Sequence, residues 1–393
     1  MKVALVENFG ADFVGARLRY ALFLKRKGID VVAIIPKDGN TSVIEDAGIK
    51  TIEVGVNIRA KGLLTKLLYA VKIRRELIEG DFDIVHFYRL QPNIIGTIVA
   101  GLSCNAKIFN HITGLGIAFS KNDLKSIIQR NFIKVVYKLN HYIFKPYYIF
   151  QNEEDSKDLG IHTRMSCIKG SAVNESRFDS SKIIENSKTN LSFLKKELCN
   201  LEDTSKTFLF VSRIIKEKGV LELIKGFKGA NNKLNNKHKL LIVGWSDKEN
   251  PSSISKIDLD RYINDDENIK FLGKRNDIEL LLVLSDVCIL PTYYREGTPR
   301  FLLESMVMKK AIITTDMPGC NHLVYNNNNG LLIKAKSSVA IENAILKILD
   351  KDLEKLGEEG FKLYFNKFSE NIVYSQILKL YYNVLLKING PLS

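Results

Sequence analysis

Long apolar segments are absent from this sequence of 393 residues. No run reaches the roughly 18 apolar residues that a membrane-spanning helix needs, so the sequence predicts no such helix. The first residues, MKVALVENFG, contain neither a long apolar core nor a small-residue cleavage site, and we therefore expect no signal peptide. Hydrophobic residues make up 45% and charged residues 26% of the chain. This composition is typical of globular proteins, and the length predicts two or three domains.

Cysteine is scarce and scattered. The chain has five cysteines, and no two of them are close enough in sequence to form a C-x-x-C pair: Cys104, Cys167, Cys199, Cys288 and Cys320. This pattern argues against a disulfide framework and against a zinc site of the usual spacing, and it favours a reducing, cytoplasmic compartment. We expect these cysteines to be small buried side chains.

Acidic residues are missing from one segment and nearly missing from another. The whole chain carries a net charge of +14; Val54–Arg75 contains six basic residues and no acidic one, and Lys121–Lys145 contains six basic residues against Asp123 alone. Nucleic acid, an anionic membrane surface and anionic small molecules are the partners that such charge permits. A general enrichment in lysine, asparagine and isoleucine is the simpler alternative explanation of the net charge.

The sequence does contain two successive series of short apolar runs that alternate with helical segments. The first runs from KVALVENF to YYIFQN and the second from KTFLFVSRI to GLLIK, and each predicts βαβ units around a parallel sheet. Polar, weakly patterned residues 180–206 lie between them, so we place the domain connection near residues 170–200. We expect an α/β fold of two doubly wound, Rossmann-like domains that face a cleft, with ligands bound beyond the carboxyl ends of the strands. No G-x-G-x-x-G turn follows the first strand, which argues against a dehydrogenase.

The segment YYREGTPRFLLESM carries the strongest indication of chemistry. Glu296 lies in a Gly-Thr-Pro turn after the strand that ends at Thr292, and Glu304 lies in a run of apolar residues. Thr298 is expected to cap a helix whose first residue is Pro299, and the free N–H groups of that helix suit a phosphate. A buried carboxylate at position 304 needs hydroxyl groups, such as those of a ribose, or a cation to satisfy it. The alternative is that Glu304 pairs with a nearby lysine or arginine and that Glu296 is solvated.

Two cations fit the same edge of the sheet. In VSRIIKEKG, Arg213 ends a predicted strand and Lys218 lies in the loop that follows it, where guanidinium and ammonium groups suit a diphosphate. Gly244 ends the strand HKLLIVG at that edge. An exposed surface pair is the alternative for the two cations.

The motifs VSRIIKEKG, FLGKRNDI, LPTYYREGTPRFLLESM and AIITTDMPGC together resemble the C-terminal domain of the retaining family 4 glycosyltransferases, which have the GT-B fold. The E-x7-E pair of that family matches Glu296 and Glu304. In the N-terminal half, DIVHFY, TGLGIAFS, YYIFQNEED and IKGSAVNESRF resemble the branch that builds bacterial surface polysaccharides and lipid-linked glycans. The resemblance implies an acceptor domain at 1–175, a donor domain at 176–372 and a helix at 373–393 that packs back toward the N-terminal domain.

The resemblance also implies a role for each matching residue. Arg213 and Lys218 would hold the donor diphosphate, Glu304 would bind the ribose, and Glu296 would bind the donor sugar. The remaining donor-side residues are Gly244, Gly297, Thr298, Pro299 and Arg300, with Lys274 and Arg275 bordering the nucleobase. The residues expected at the acceptor side or in the cleft are Gly10, Arg17, Thr113, Gly114 and Asn152. Such enzymes use no metal and no other cofactor, and the expected donor is a UDP-sugar.

One departure from the family concerns a histidine that many relatives carry directly before the glycine-rich turn of the N-terminal domain. Here the order is NHITGLG, so Thr113 precedes Gly114 and His111 lies two residues earlier. Residues two apart on a strand share a face, so His111 either reaches the cleft as a catalytic group or is a core histidine. In a retaining reaction with front-side departure, the leaving diphosphate itself can take the acceptor proton.

The family branch typically extends sugars on undecaprenyl diphosphate at the cytoplasmic leaflet, and both basic segments lie in the half expected to bind such an acceptor. Residues 61–77 and 127–144 mix bulky apolar and basic residues at helical spacing. Each is expected either to lie on an anionic membrane surface or to be an ordinary amphipathic helix with a solvated lysine face. We favour a peripheral protein of the inner face of the cytoplasmic membrane.

Two other functions fit parts of the sequence. A GT-B sugar-nucleotide epimerase would turn over nucleotide sugar without an acceptor, but the E-x7-E pair and TGLG argue against it. A non-catalytic nucleic-acid-binding or scaffold protein would use the basic surface; no aromatic–basic RNA-binding motif is visible, and we expect no nucleic-acid partner. The donor sugar, the acceptor sugar, the linkage and the oligomeric state are left open by the sequence.

Overall fold

The computed structural model describes residues 1–56, 62–199, 205–235, 237–247 and 250–386, which form two compact units. Unit 1 contains Met1–Ala172, the short segment Glu296–Thr298 and the last helix from Glu370; unit 2 contains Val173–Arg295 and Pro299–Ser369. The first division therefore falls at residue 172, where the sequence suggested 175. Arg59 and Lys61 of the first basic segment lie outside the described residues.

Unit 1 is built on a sheet of seven parallel strands in the order β3-β2-β1-β4-β5-β6-β7. The strands are β1 (Lys2–Val6), β2 (Asp30–Pro36), β3 (Lys50–Val54), β4 (Ile84–Tyr88), β5 (Lys107–Ile112), β6 (Tyr147–Phe150) and β7 (Met165–Cys167). The helices between them are α1 (Gly10–Ala16), α2 (Leu18–Arg26), α3 (Thr41–Asp46), α4 (Leu63–Gly80), α5 (Thr97–Ser103), α6 (Ile117–Ser120), α7 (Leu124–Phe144) and α8 (Glu153–Leu159). A π-helical turn, Pro92–Gly96, precedes α5. Parallel neighbours require such crossover connections, which explains the alternation in the sequence.

Unit 2 repeats this plan with six parallel strands in the order β10-β9-β8-β11-β12-β13. Its strands are β8 (Thr207–Val211), β9 (Lys239–Val243), β10 (Ile269–Phe271), β11 (Val287–Leu290), β12 (Ala311–Thr315) and β13 (Gly330–Ile333). Its helices are α9 (Ser180–Asn186), α10 (Lys188–Leu198), α11 (Val220–Lys233), α12 (Lys256–Ile263), α13 (Ile278–Leu284), α14 (Arg300–Val307), α15 (Ser338–Leu349) and α16 (Leu353–Lys367). The chain then returns to unit 1 through α17 (Glu370–Leu385). The prediction of two doubly wound parallel sheets is confirmed.

Alternate residues of the unit 1 strands face two different cores. Val3 and Leu5 of β1 lie in a cluster that includes residues of α2 and α17, whereas Ala4 and Val6 lie in a cluster with residues of α4 and α5. The two-residue period of a strand requires this arrangement. Helices therefore cover both faces of the sheet, and its carboxyl edge remains as the place where polar groups collect.

We expected residues 180–206 to form a weakly patterned connection between the domains. The structure instead has two helices there, α9 and α10. Leu191, Leu194 and Leu198 of α10 are buried, and the last two join the core of unit 2. Their spacing of three and four residues is that of one helix face. None of the helices within the described ranges combines the length and the apolar character needed to cross a membrane.

Candidate active site

Two loops at the carboxyl edge of the unit 2 sheet hold the predicted cations together. β8 and β11 are neighbours in the sheet, and the loop after β8 contains one 3₁₀ turn, Lys216–Lys218. The Glu217 carbonyl accepts a hydrogen bond of 3.0 Å from the N–H of Tyr294, in the loop after β11. Arg213 Cζ and Lys218 Nζ each lie 5.5 Å from the centroid of the Tyr294 ring. The structure thus brings Arg213 and Lys218 to one ring.

The loop that carries Lys218 has a fixed conformation. Glu217 is 2% exposed, and its Oε1 accepts a hydrogen bond of 2.8 Å from Ser252 Oγ. Gly219 has a φ of 75°, and a Cβ added there would lie 2.2 Å from the Pro291 carbonyl oxygen. Glycine is the residue that tolerates both the positive φ and the close approach. The backbone position of Lys218 is therefore determined by contacts of its two neighbours in the sequence.

Glu304 lies on α14 with a side chain that is 14% exposed. Burial raises the pKa of its carboxyl group, and the charge of Arg300 opposes that rise. Arg300 Nη2 lies 3.6 Å from Glu304 Oε1, too long for a strong hydrogen bond, and Arg300 Nε is buried without a hydrogen-bond partner. Glu304 therefore has the neighbouring arginine that the alternative interpretation requires, but the pair is loose. The Glu304 carboxylate and the Arg300 guanidinium can each still form hydrogen bonds with a ligand.

The predicted cap of α14 is wrong. Pro299 occupies the N-cap position, and the helix begins at Arg300. The hydroxyl oxygen of Thr298 accepts a hydrogen bond of 3.2 Å from the N–H of Gly170, and no side chain caps the helix. A partner distant in sequence has displaced the local capping interaction that the Thr-Pro pair suggested.

Residues Glu296–Thr298 are part of unit 1. Asn152 Nδ2 donates a hydrogen bond of 3.2 Å to the carbonyl oxygen of Glu296. A Cβ at Gly297 would lie 2.1 Å from Gln151 Oε1 and 2.6 Å from the carbonyl carbon of Thr113. The structure therefore brings the predicted sugar-binding segment together with Thr113 and Asn152, and only glycine fits at position 297.

His111 is buried on β5, with 2% of its surface exposed. Its ring stacks 5.4 Å from that of His86 and 5.2 Å from that of Tyr88. Burial lowers the pKa of His111 well below its ordinary value, and the charge of Arg17 lowers it further, which favours the neutral ring. Its Nδ1 is buried without a hydrogen-bond partner, and its Nε2 lies 3.4 Å from Gln151 Nε2. His111 thus belongs to a buried ring stack, and a catalytic role for it stays a prediction.

The other residues predicted on the acceptor side have partners within unit 1. The N–H of Gly10 donates a hydrogen bond of 2.6 Å to the Asp38 carboxylate, and a Cβ at Gly10 would lie 2.3 Å from Asp38 Oδ1. Arg17 Nε lies 3.4 Å from Glu7 Oε2. Gly114 has a φ of 110°, which explains glycine in that turn. These contacts give Gly10, Arg17 and Gly114 structural roles beside any role toward a substrate.

The remaining donor-side residues surround the ends of β9 and β10. A Cβ at Gly244 would lie 1.8 Å from the Ser212 carbonyl oxygen, so the close approach of β8 and β9 requires glycine. Arg275 makes two hydrogen bonds, of 2.8 and 2.5 Å, to the Asp277 carboxylate. Lys274 Nζ lies 5.8 Å from the ring centroid of Trp245.

Several polar residues at the strand ends were not identified from the sequence. Glu7 follows β1 with a fully buried side chain, and its Oε1 lies 3.0 Å from Arg89 Nε. Arg89 follows β4 with a φ of 72°, a conformation that a non-glycine residue rarely adopts. A charged residue directly after an apolar strand is the signal that could have identified both residues. Glu217 and Gln151 carry a weaker signal, because each lies in a polar stretch that looks solvated.

No group of three His, Cys, Asp or Glu side chains in the described part of the chain is arranged to hold a metal ion. The absence of a metal requirement stays a prediction.

Two family models together match most of the chain. The model described as glycosyl transferase 4-like matches residues 2–146, in unit 1. The model described as glycosyl transferases group 1 matches residues 195–363, in unit 2 apart from Glu296–Thr298.

The chain is similar to two bacterial glycosyltransferases over most of their length. The N,N'-diacetylbacillosaminyl-diphospho-undecaprenol alpha-1,3-N-acetylgalactosaminyltransferase of Campylobacter jejuni is 26% identical, over 99% of this chain and 100% of that protein. The UDP-Gal:alpha-D-GlcNAc-diphosphoundecaprenol alpha-1,3-galactosyltransferase of Escherichia coli is 25% identical, over 83% of this chain and 82% of that protein. The crystal structure of a glycosyltransferase from Rickettsia africae aligns with this chain over 99% of both chains, with a TM-score of 0.76 and 20% sequence identity. The two proteins therefore share a fold.

Proposed function

We propose that this chain, which belongs to the family 4 glycosyltransferases of the GT-B fold, transfers a hexose or N-acetylhexosamine from a UDP-sugar to a sugar on undecaprenyl diphosphate. The proposed reaction retains the anomeric configuration and needs no metal. The observation that carries the proposal is the approach of Arg213 and Lys218 to the same ring, each at 5.5 Å. Two cations that each lie 5.5 Å from one ring at the carboxyl edge of a parallel sheet suit a diphosphate.

The proposed chemistry assigns these cations to the leaving group. The oxygen of the acceptor hydroxyl bonds to the anomeric carbon while the bond from that carbon to the diphosphate oxygen breaks. The acceptor proton passes to the leaving diphosphate, whose charge Arg213 and Lys218 balance. Glu304 binds the ribose hydroxyls, and Glu296 binds hydroxyls of the transferred sugar.

The names of the relatives support the choice of substrates. The E. coli relative is named for a UDP-sugar donor, and both relatives are named for acceptors on diphospho-undecaprenol. These names support a UDP-sugar donor and a lipid-diphosphate acceptor as the classes to test first. The transferred sugar is left to experiment.

The test of the function begins with thermal unfolding in EDTA with UDP, GDP and ADP. A nucleotide at 100 times its Kd is expected to add about 2.7 kcal/mol to the free energy of unfolding. The matching nucleotide sugars are then incubated with undecaprenyl-diphosphate-linked N-acetylhexosamine, and the lipid product is measured. Sugar transfer in EDTA with the α-configured product is the expected result. Conversion of the nucleotide sugar without acceptor would instead identify an epimerase, and no nucleotide binding at all would contradict the proposal.

Replacing Glu304 with alanine is expected to raise the Kd for UDP roughly 10- to 150-fold, which corresponds to the loss of about 1.5–3 kcal/mol for a hydrogen bond to a charged group. Calorimetric titration of UDP measures this change. Glu358→Ala is the matched control, because it removes the glutamate of another ion pair in unit 2, 2.6 Å from Lys309 Nζ. If Glu304 serves only to pair with Arg300, E304A will lower the unfolding midpoint and leave the Kd for UDP unchanged.

A second part of the proposal is that unit 1 rests on an anionic membrane surface. α5 packs against both α4 and α7, and all three helices expose apolar side chains. We call these side chains together the apolar face; they are Leu63, Leu64, Leu67, Leu68 and Val71 of α4, Leu102 of α5, and Leu124, Ile128, Phe132, Val135, Leu139, Tyr142 and Ile143 of α7. α7 contains no acidic residue, whereas α4 has Glu76 and Glu79 near its end. Apolar side chains bordered by lysines suit an anionic bilayer surface.

Binding to vesicles tests the apolar face. Replacing Leu64, Leu67 and Leu68 with serine is expected to weaken binding to vesicles that contain phosphatidylglycerol about 10-fold or more, because each loses apolar area that would leave water. The matched control replaces three exposed apolar residues of unit 2 with serine: Ile184, Phe193 and Val339. UDP should stabilise both variants as it does the wild type. Equal binding to neutral phosphatidylcholine vesicles, or no effect of the α4 substitutions, would contradict a membrane role for this face.

A further inference from the structure

Trp245 is the one tryptophan of the chain, and it is 48% exposed. It follows β9 by two residues, at the carboxyl edge of the unit 2 sheet. β9 lies between β8 and β10. The indole therefore stands between the loop that carries Arg213 and the loop that carries Lys274.

Backbone hydrogen bonds connect Trp245 and its neighbour Gly244 to the two loops. The Trp245 carbonyl accepts a bond of 2.9 Å from the N–H of Ile214, which follows Arg213. On the other side, the N–H of Gly244 donates a bond of 2.9 Å to the carbonyl of Gly273, which precedes Lys274. The backbone of Gly244 and Trp245 is thus bonded to the loop of the cation predicted at the diphosphate and to the loop of the residue predicted at the nucleobase.

The ring has one occupied face and considerable free surface. Lys274 Nζ lies 5.8 Å from the ring centroid, and about half of the side chain stays exposed. A single exposed aromatic residue is ordinary on a protein surface. This one is unusual because it is anchored on both sides, at the edge of a parallel sheet where ligands bind. An aromatic face at that place suits a flat, uncharged ring with polar edges.

We infer that Trp245 is the stacking platform for the nucleobase of the donor, with Lys274 beside it to meet the polar edge of the base. The inference rests on the proposed function, because it takes the donor to be a nucleotide sugar. Stacking on an aromatic side chain tolerates every base, since every base has a π face. Trp245 therefore contributes affinity for the nucleoside, while Arg213 and Lys218 hold the diphosphate.

The single tryptophan makes the test direct, because excitation selective for indole reports on Trp245 alone. We expect UDP and uridine to change the tryptophan emission and pyrophosphate to leave it unchanged. Trp245→Ala is expected to raise the Kd for UDP about 5- to 150-fold by calorimetry, and Trp245→Phe, which keeps an aromatic face, to change it only a few-fold. Phe193→Ala is the matched control, since Phe193 is an exposed aromatic residue of α10 away from this edge.

The outcomes separate this inference from the proposed function. Unchanged emission at saturating UDP, together with wild-type affinity for UDP in W245A, would overturn the stacking role and leave the glycosyltransferase proposal standing. An emission change with pyrophosphate but not with uridine would also overturn it, because the ring would then be reporting on the diphosphate. Failure of the wild type to bind any of UDP, GDP and ADP would overturn both.

Discussion

Replacing Lys218 with alanine is expected to lower kcat about 10²- to 10³-fold, the usual loss when one fixed donor is removed from developing negative charge. Lys218 is 8% exposed. Its Nζ lies 5.5 Å from the centroid of the Tyr294 ring, the same distance as Cζ of Arg213. The negative charge on the diphosphate grows as the bond to the sugar breaks. An ammonium group in a fixed position therefore stabilises the transition state more than the bound donor, and kcat should fall more than the affinity for UDP.

Lys216→Ala is the matched control for this prediction. Lys216 lies in the same 3₁₀ turn but is exposed, so its loss should leave kcat within about twofold of the wild type, as for most substitutions of solvated surface residues. Lys218→Arg keeps the charge and should recover part of the rate. Equal activity of K218A and K216A would remove Lys218 from the proposed mechanism. A large drop in the unfolding midpoint of K218A would instead show that the residue mainly supports the turn.

The fold could be predicted from the sequence because several of its strands are continuous apolar runs. A strand buried on both faces reads as such a run, as in the segments that became β2, β9 and β11, and a helical segment follows each one. The crossover rules of such sheets restrict the strand order to a few possibilities, and the structure determines which one is present. α10 was overlooked because its lysines hid a regular row of leucines, which a count of helical spacing would have found.

The candidate site could be predicted only in part, because its positions depend on partners far apart in sequence. Arg213, Lys218 and Glu304 could be identified as chemical groups at strand and helix ends. The bond from Gly170 to Thr298 joins residues 128 positions apart, and no local pattern indicates it. Glu217 looked like one charge in a solvated run, yet its carbonyl orders the neighbouring loop. Local sequence therefore indicated which residues carry chemistry, whereas tertiary contacts determine how they are held.

Replacing Arg17 with methionine is expected to lower the free energy of unfolding by about 3–5 kcal/mol at neutral pH, because it leaves a buried carboxylate with too few partners. The side chain of Glu7 is fully buried, with Arg17 Nε 3.4 Å from one carboxylate oxygen and Arg89 Nε 3.0 Å from the other. The side chain of Arg89 is 42% exposed and also pairs with Asp12, so we expect it to offset only part of the lost charge. Methionine keeps most of the volume of the arginine stem. Urea unfolding followed by circular dichroism measures the change.

The size of this loss should depend on pH in a definite direction. Burial raises the pKa of Glu7, and the charges of Arg89 and Arg17 oppose that rise. Without Arg17 the folded-state pKa of Glu7 rises further above the unfolded value of about 4.3. Between these two pKa values the folded chain holds a proton that the unfolded chain has released, so stability falls as pH rises. The deficit of R17M relative to the wild type is therefore expected to be small near pH 4 and to grow toward neutral pH.

The double variant E7Q/R17M separates the charge from the packing. Removing both charged groups should recover a large part of the stability, because an unpaired buried charge costs more than the loss of the pair itself. Recovery in the double variant, with a deficit in R17M that disappears at acidic pH, would identify the buried carboxylate as the cause. A wild-type unfolding midpoint for R17M at neutral pH would mean that Arg89 alone satisfies Glu7. Arg17 would then be free to bind substrate, the role that the sequence first suggested for it.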